Sequence, residues 1–242
     1  MIAERDHIMG GIHADICAAP EQRGKRSFKA ILWDMDGVLA DSGDAHYLAW
    51  QMLLRETGQE ITRQQFDDTF GMANTRIVQH WFGEALSPAE NRALGLRKET
   101  LFRQLVAEHV RILPGVIDWL ERFQAWGCRQ VVASSGEMAN VVAVIDALDI
   151  GNYFDALLSG AFLPQSKPDP AIFLLSAAAA SATPDRCLVL EDAPPGIEAA
   201  RRAGMRCIAL TTTHPRNKLT GADLVLDNLV ALDEALLTQL LN

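Results

Sequence analysis

The sequence has few cysteines, and they form no recognisable motif. Cys17, Cys128, Cys187 and Cys207 are the four cysteines in 242 residues. They contain no CxxC pair and no regular spacing, so nothing in them requires an oxidising compartment. Cys187 and Cys207 lie in apolar stretches, and we interpret both as buried, reduced thiols.

Long apolar runs are also lacking. No stretch approaches the ~18 consecutive apolar residues of a membrane-spanning helix. Residues 1–27 mix charges with short apolar pieces and lack the continuous apolar segment of a secretory signal. We therefore expect a soluble, cytoplasmic protein with no membrane partner, in which residues 1–27 form an extension or a poorly ordered tail.

Basic residues are outnumbered by acidic ones. The chain has 22 Lys and Arg against 31 Asp and Glu, a formal net charge of -9. This balance argues against general nucleic-acid binding, because a phosphate backbone requires a basic surface. It argues only weakly against a small anionic substrate, since a local site can be positive on an acidic protein. The hydrophobic content of 49% is ordinary and sufficient for a sizeable core.

The order of the predicted elements indicates a doubly wound α/β fold. AILWD, residues 30–34, is typical of a short buried parallel strand. Residues 44–110 show helical apolar spacing, whereas strands and helices alternate beyond residue 111. Such alternation predicts a parallel sheet covered by helices on both faces. We divide the chain into an extension (1–27), an α/β core (28–43 and 111–242) and an all-helical insertion (44–110).

Polar residues follow several of the predicted strands. Asp34 and Asp36 end the first strand, Ser134 ends VVAS, and Asp192 follows CLVLE. Lys167 opens a proline-restricted loop before another helix. Because ligands bind at the carboxyl ends of the strands in such sheets, we expect these five side chains to converge at one edge. Closely placed acids are tolerated there if a cation and a basic side chain share the site, and Mg²⁺ prefers carboxylate oxygens.

Each of these residues also has an ordinary structural interpretation. Ser134 could cap the helix that follows it, and Lys167 could be a solvated surface residue. Glu191 and Asp192 could cap the helix that begins at PPGIEAARRAG, where acids suit the positive end of the helix dipole. Their combination in this order, after a buried strand, favours a functional site over these separate explanations.

The same residues resemble the motifs of a known family. DMDGVLADS, a serine at a strand end, KP, and ED before a helix opened by Pro and Gly are similar to the four motifs of the haloacid dehalogenase (HAD) superfamily. The most similar branch holds beta-phosphoglucomutases and small sugar-phosphate phosphatases. The resemblance begins at about residue 29 and implies a Rossmann-like HAD core, with the helical insertion as a mobile cap over the site.

The resemblance implies a role for each acid. Asp34 would be the nucleophile that forms an aspartyl-phosphate, and Asp36 would be the general acid and base. Mg²⁺ would be held by the carboxylates of Asp34 and Asp192 and the backbone carbonyl of Asp36. Glu191 would assist, directly or through water.

The resemblance also implies the phosphate contacts and the reaction class. Ser134, Lys167 and Gly37 would bind the phosphoryl oxygens and offset the charge of the acids and the phosphate. Asp36 separates the chain from the family's dehalogenases, which lack the second acid and the metal. The expected partner is a small phosphorylated metabolite such as a sugar phosphate, and we expect a monomer.

Substrate choice is expected to lie in the cap. His46 and Trp50 are four residues apart and therefore share one face of the first cap helix. Similar His and Trp residues stand near the cap hinge in beta-phosphoglucomutases. The ordinary interpretation is that Trp50 belongs to the core of the cap and that His46 is a helix-face residue.

A second cap stretch, TFGMANTR, bears on the reaction. Where the mutases place a lysine, a glycine and a phosphate-binding arginine, this chain has Phe70, Gly71 and Asn74. Arg76 lies two residues further on, ~200° around a helix, so it would not simply replace the arginine. We take Gly71, Asn74 and Arg76 as candidate substrate residues. Because a mutase must hold a second phosphate on the cap, the missing basic pair favours a phosphatase.

Other functions remain as alternatives. The first is beta-phosphoglucomutase-type phosphotransfer between sugar hydroxyls. A non-catalytic binding protein is a second, although it would have no need of a complete catalytic set. Carbon–phosphorus hydrolysis is a third and would need a Schiff-base lysine from the cap. Lys98, the single lysine of residues 44–110, is expected far from the hinge.

Overall fold

The computed structural model describes residues 27–69 and 72–241. The chain forms two compact units. The core unit comprises the chain up to Asp41 together with the chain from Ile112 onward, and the helical unit comprises Ser42–Arg111. The extension predicted for residues 1–27 lies, apart from Ser27, outside the described residues.

Strands and helices are labelled in chain order. The strands are β1 (Ala30–Trp33), β2 (Ala40–Asp41), β3 (Arg111–Ile112), β4 (Arg129–Ser134), β5 (Ala156–Ser159), β6 (Cys187–Glu191), β7 (Arg206–Leu210) and β8 (Leu224–Leu226). The helices are α1 (Gly43–Glu56), α2 (Arg63–Asp67), α3 (Asn74–Phe82), α4 (Pro88–His109), α5 (Val116–Ala125), α6 (Met138–Ala147), α7 (Ala171–Ala179), α8 (Pro194–Arg202) and α9 (Glu234–Leu240).

A six-stranded sheet in the order β5-β4-β1-β6-β7-β8 organises the core unit. Every neighbouring pair of strands in it is parallel, which confirms the predicted doubly wound α/β fold. β1 lies at the centre, and its last residue, Trp33, is level with Val132 of β4 and Leu190 of β6. The residues that follow these three strands therefore emerge at the same edge of the sheet.

Apolar side chains of the sheet pack against the flanking helices. Leu32, Val131 and Val189 from three adjacent strands form one cluster with Phe173 of α7 and Ile197 of α8, and all five are fully buried. Burying a side chain of this size contributes roughly 1.5–3 kcal/mol relative to leaving it exposed. The cluster fixes β1, β4 and β6 beside one another, and so fixes the edge at which their last residues meet.

The helical unit is built from α1 to α4. α4 begins with a capping box in which Ser87 and Glu90 bond each other's backbone N–H groups, with a proline at its first turn. Along the chain, β2 precedes α1 and β3 follows α4, so the helical unit is inserted between β2 and β3.

Among the described residues, none of the helices is both long enough and apolar enough to cross a membrane.

Candidate active site

A buried lysine links the ends of three neighbouring strands. The ammonium of Lys167 donates hydrogen bonds to Asp34 Oδ1 (2.5 Å), Glu191 Oε1 (2.7 Å) and the carbonyl of Ala133 (3.2 Å). The acceptors come from the end of β1, from β6 and from β4. An ammonium has three donors, and each has an acceptor here. The predicted convergence of Asp34 and Lys167 at this edge is therefore a direct contact.

Carboxylates outnumber the lysine in this cluster. Burial, together with the charges of Glu191 and Asp36, raises the pKa of Asp34 to about 7, against the lowering effect of Lys167. Burial also raises the pKa of Asp192 well above its ordinary value, and Glu191 and Asp34 add to the effect. Several acids share one buried cation, so further positive charge would stabilise their ionised forms.

Lys167 remains protonated in this setting. Burial disfavours its charged form, but the neighbouring Asp34 and Glu191 more than offset burial, so that the pKa of Lys167 is raised. Its ammonium also lies 4.9 Å from the ring centroid of Phe173 in α7.

Glu191 is held on both of its oxygens. One oxygen bonds Lys167, and the other accepts hydrogen bonds from the backbone N–H groups of Asp192 (2.8 Å) and Ala193 (2.9 Å). A methyl group in place of the hydrogen of Gly196 would lie 1.7 Å from Glu191 Oε1. The glycine in the first turn of α8 therefore makes room for this carboxylate, which is committed to fixing Lys167 and the chain that carries Asp192.

A tight turn follows β1 and brings Asp36 to the site. The carbonyl of Met35 accepts from the N–H groups of Leu39 (2.9 Å) and Ala40 (3.0 Å). Gly37 has a φ of 77°, and its own N–H donates to the carbonyl of Ala40 (2.8 Å). Asp36 is half-buried beside Gly37, and its charge contributes to the raised pKa of Asp34.

Asp192 packs directly against this turn. A Cβ at Gly37 would lie 2.1 Å from Asp192 Oδ2, so only glycine allows the carboxylate to approach. Gly37 was predicted to contact phosphate. In the structure its N–H already bonds Ala40, and its lack of a side chain makes room for Asp192.

Ser134 ends β4 at the same edge and is buried. Its hydroxyl oxygen accepts a hydrogen bond from the N–H of Gly136 (3.0 Å), which fixes the side chain in the turn after the strand. It follows Ala133, whose carbonyl bonds Lys167. The structure therefore places Ser134 beside the lysine cluster as the sequence predicts.

The helical unit contains a second buried lysine. Lys98 of α4 lies 2.7 Å from His46 Nδ1 and 3.0 Å from Glu99 Oε1. The His46 ring stacks on Phe102, with centroids 4.0 Å apart. Lys98, which was predicted to lie far from the hinge, contacts His46 of the first helix, α1, although 52 residues separate the two in sequence.

The other predicted residues of this unit divide between the cluster and the surface. Trp50 is buried, meets Trp81 edge to face, and has its ring centroid 5.7 Å from the Lys98 ammonium. Asn74, at the start of α3, donates to Glu99 Oε1 (2.5 Å). Arg76 is exposed on the same helix. The predicted Gly71, like Phe70, lies outside the described residues.

Comparison with known proteins identifies the family. A family model for haloacid dehalogenase-like hydrolases matches residues 28–204. The chain belongs to this family. It is 30% identical to beta-phosphoglucomutase of Bacillus subtilis (strain 168) over 204 residues, which cover 81% of this chain and 88% of that protein. It is also 30% identical to a fructose-1-phosphate phosphatase of Escherichia coli (strain K12) over 183 residues, covering 75% and 95%.

A solved structure agrees with this membership. The crystal structure of CbbY from Rhodobacter sphaeroides in complex with phosphate matches with a TM-score of 0.77 and 27% identity. The match covers 85% of this chain and 96% of that one. The HAD fold expected from the sequence motifs is therefore confirmed.

We call Asp34, Lys167, Glu191 and Asp192 the core cluster. Its acids fit the divalent cation that HAD enzymes generally use. Asp34 and Asp192 offer carboxylate oxygens, the ligand type that Mg²⁺ prefers, and both are buried with raised pKa values. Within residues 27–69 and 72–241, no group of three or more His, Cys, Asp or Glu side chains forms a ready metal site. Glu191, for which an assisting role was predicted, bonds Lys167 and two backbone N–H groups.

We call His46, Trp50, Asn74, Lys98, Glu99 and Phe102 the helical cluster. The sequence did not predict that Lys98 and Glu99 would belong to it. Lys98 and Glu99 are adjacent in a long helix, where a charged pair usually faces solvent, yet both are buried. A signal was available, since Lys98 lies four residues before Phe102 and so shares its buried face of α4.

Proposed function

We propose that this HAD-family hydrolase is a Mg²⁺-dependent phosphatase that hydrolyses a small phosphomonoester, a sugar phosphate or related metabolite, through an aspartyl-phosphate on Asp34. The observation that carries the proposal is the buried contact between Asp34 Oδ1 and the Lys167 ammonium (2.5 Å), beside the second buried acid, Asp192. This arrangement holds a carboxylate nucleophile against fixed positive charge and leaves unbalanced negative charge for a divalent cation.

The reaction has two steps. Asp34 attacks phosphorus and the bond from phosphorus to the ester oxygen breaks, while Asp36 gives its proton to the leaving oxygen. Asp36 then removes a proton from water, and the resulting hydroxide attacks phosphorus. The bond between phosphorus and the Asp34 oxygen breaks, which releases inorganic phosphate and restores the carboxylate.

The surrounding residues have distinct roles in the proposal. Lys167 and Ser134 contact the phosphoryl oxygens, and Glu191 positions Lys167 through their 2.7 Å contact. Mg²⁺, when bound, supplies positive charge to the phosphoryl group; the carboxylates of Asp34 and Asp192 and the Asp36 carbonyl would hold it.

We assign the choice of substrate to the helical unit, acting as the cap of residues 44–110. His46, Lys98 and Asn74 offer hydrogen-bonding groups in one cluster, and Trp50 offers an apolar surface beside them. Clusters of this composition bind hydroxyl groups well, because they present both donors and acceptors.

Hydrolysis is favoured over phosphotransfer by the contact between Asn74 and Glu99. Asn74 stands where the mutases have a phosphate-binding arginine, and it donates to the carboxylate of Glu99 (2.5 Å). A second phosphate placed there would meet an acid, and Lys98 is already paired with that acid (3.0 Å). Beta-phosphoglucomutase activity is therefore the second candidate.

The position of Lys98 bears on carbon–phosphorus hydrolysis as well. A lysine that forms a Schiff base must react as a neutral amine. The ion pair with Glu99 favours the ammonium form, so the contact supports a binding role for Lys98 over a covalent one.

The experiment is inorganic phosphate release from a panel of phosphomonoesters, with and without Mg²⁺, for the parent and Asp34→Asn. Asp118→Asn, an exposed acid of α5, is the matched control. beta-Glucose 1-phosphate is assayed in parallel for conversion to glucose 6-phosphate. We expect Mg²⁺-dependent release that Asp34→Asn abolishes and the control retains.

Two other outcomes would reject the proposal. Isomerised sugar phosphate with little release would identify a mutase. No reaction of the folded protein with any ester, including a generic aryl phosphate, would favour a non-catalytic binding protein.

A further inference from the structure

Two consecutive threonines in the loop after β7 each contact one part of the active site. Thr212 Oγ1 donates a hydrogen bond to the carbonyl of Gly37 in the turn after β1 (2.5 Å). Thr213 Oγ1 donates to the side-chain oxygen Oδ2 of Asp192 and lies 3.3 Å from the backbone carbonyl of the same residue. The turn with the nucleophile and the loop with Asp192 are thus tied to one short segment.

The hydroxyl of Thr213 has a defined orientation. An ionised Asp192 only accepts hydrogen bonds, so Thr213 must donate its single proton to it. His214 Nδ1 lies 2.9 Å from the same hydroxyl oxygen, and it is the donor in that contact whenever Thr213 donates to an ionised Asp192. The chain of hydrogen bonds runs from His214 through Thr213 to Asp192.

Packing around Gly37 leaves Asp192 little freedom. A Cβ at Gly37 would lie 2.1 Å from Asp192 Oδ2 and 2.9 Å from the methyl group of Thr213. Asp192 Oδ2 is therefore enclosed between the glycine and the threonine. The other carboxylate oxygen, Oδ1, is left to serve a ligand.

We propose that Thr213, supported by Thr212, is a positioning residue that orients Asp192 for Mg²⁺ and so sets the affinity of the site for the metal. The inference rests on the proposed Mg²⁺-dependent function. A carboxylate that is held in one rotamer loses less conformational freedom when it binds a metal, and removing such an outer partner typically lowers metal affinity ~10–100-fold.

The same loop supplies a matched control. The hydroxyl of Thr211 donates a hydrogen bond to Asp227 Oδ1 (3.1 Å). Asp227 is exposed and is not one of the acids around Lys167. Replacing Thr211 by valine removes a threonine hydroxyl from the same segment but leaves the contacts of Asp192 and Gly37 in place. A role limited to the stability of the loop would affect both variants alike.

The test is Mg²⁺ binding by isothermal titration calorimetry on the full chain, for the parent, Thr213→Val, Thr213→Ser, Thr212→Val and Thr211→Val. We expect Thr213→Val to weaken binding at least ~10-fold, Thr212→Val to weaken it ~3-fold, and Thr213→Ser and Thr211→Val to stay within ~2-fold of the parent. Thermal unfolding in a chelator checks that each variant is folded.

The outcomes separate this inference from the function on which it rests. Unchanged affinity in Thr213→Val would overturn the positioning role alone, as would equal losses in Thr213→Val and Thr211→Val. If Thr213→Val does not fold, the other two variants decide. The inference is overturned if Thr213→Ser loses the Mg²⁺ affinity of the parent and Thr212→Val does not lower that affinity. A folded parent that binds no Mg²⁺ would overturn both the inference and the proposed function.

Discussion

Within the part of the chain that the structure describes, each unit buries one lysine, and the two lysines have different surroundings. The Lys167 side chain of the core unit is 8% exposed and bonds two carboxylates and a carbonyl. The Lys98 side chain of the helical unit is 2% exposed and contacts the carboxylate of Glu99 and the imidazole of His46. Burial of an ammonium requires pairing in both places, and around Lys167 the described carboxylates outnumber the lysine.

The difference between the two clusters separates two kinds of chemistry. The core cluster gathers acids whose pKa values are raised, first by burial and then by the charges of the neighbouring carboxylates. A divalent cation and a transferred phosphoryl group can enter it together. In the helical cluster, Glu99 forms an ion pair with Lys98, and Asn74 adds a neutral amide that donates to the same carboxylate. This cluster suits uncharged hydroxyls more than a second phosphate.

The largest expected effect is that of removing the core lysine. Lys167→Met leaves Asp34 and Glu191 as buried acids without their cation, so we expect phosphatase kcat to fall on the order of 10³-fold. We also expect the free energy of unfolding in a chelator to fall by roughly 3–5 kcal/mol. Steady-state kinetics and urea unfolding measure the two effects. If Lys167→Met retains more than a tenth of the parent kcat, the assignment of the chemical step to the core cluster is wrong.

The excess of acid in the core cluster also predicts a pH dependence for the metal-free protein. Folding raises the pKa of Asp34 from 3.8 to about 7, so the folded state holds this proton more tightly than the unfolded state. The stability that results is present below pH 3.8 and is lost as the pH rises to about 7. We expect the Tm in a chelator to fall over this range, Mg²⁺ to restore it near pH 7, and Asp34→Asn to flatten the profile.

Differential scanning fluorimetry between pH 4 and 8, with Mg²⁺ or a chelator, measures this dependence. Glu198→Gln on the surface of α8 is the control variant, because Glu198 is exposed and paired with Arg201 and Arg202. A Tm that rises steadily from pH 4 to 7 in the chelator would contradict the raised pKa of Asp34 in the metal-free protein.

Removing the lysine of the helical unit should act on substrate binding rather than on chemistry. For Lys98→Met we expect KM for the best sugar phosphate to rise ~10-fold while kcat with a generic aryl phosphate changes less than ~3-fold. The neighbouring Arg97→Met, which loses only an exposed ion pair with Glu56, is the control and should match the parent. Equal loss with both substrates would show that Lys98 serves the chemical step.

The smallest effect should come from altering the charge of the helical cluster. Glu99→Gln together with Asn74→Arg replaces an acid by an amide and restores a basic residue to α3. We expect glucose 1,6-bisphosphate to inhibit this double variant ~5–10-fold more tightly than the parent, because a gain of ~1 kcal/mol from the added positive charge corresponds to roughly fivefold in affinity. Inhibition constants against the monophosphate reaction provide the measurement. An unchanged constant would show that Glu99 does not exclude a second phosphate.

The fold and the meeting of Asp34, Ser134 and Lys167 could be predicted because they follow from topology. Parallel strands end at one edge, so residues placed after them in sequence meet in space whatever their rotamers. The contacts of Glu191 and Thr213 could not be predicted in the same way. They depend on a side-chain rotamer and on two glycines, Gly37 and Gly196, that allow close approach. Lys98 was misplaced because the pairing of α1 with α4 is not encoded in local spacing.

The central claim is that Asp34, beside Lys167 in an acid-rich cluster, accepts a phosphoryl group. The most direct test is rapid acid quenching of Asp36→Asn with a generic aryl phosphate, whose leaving group needs little help from a general acid, and Mg²⁺, followed by mass spectrometry of the peptide that contains Asp34. Asp36→Asn removes the base that activates water, so we predict a phosphorylated peptide that is absent without Mg²⁺ and absent when Asp34→Asn is added. Phosphate release by the parent without any phosphorylated Asp34 peptide would contradict this account.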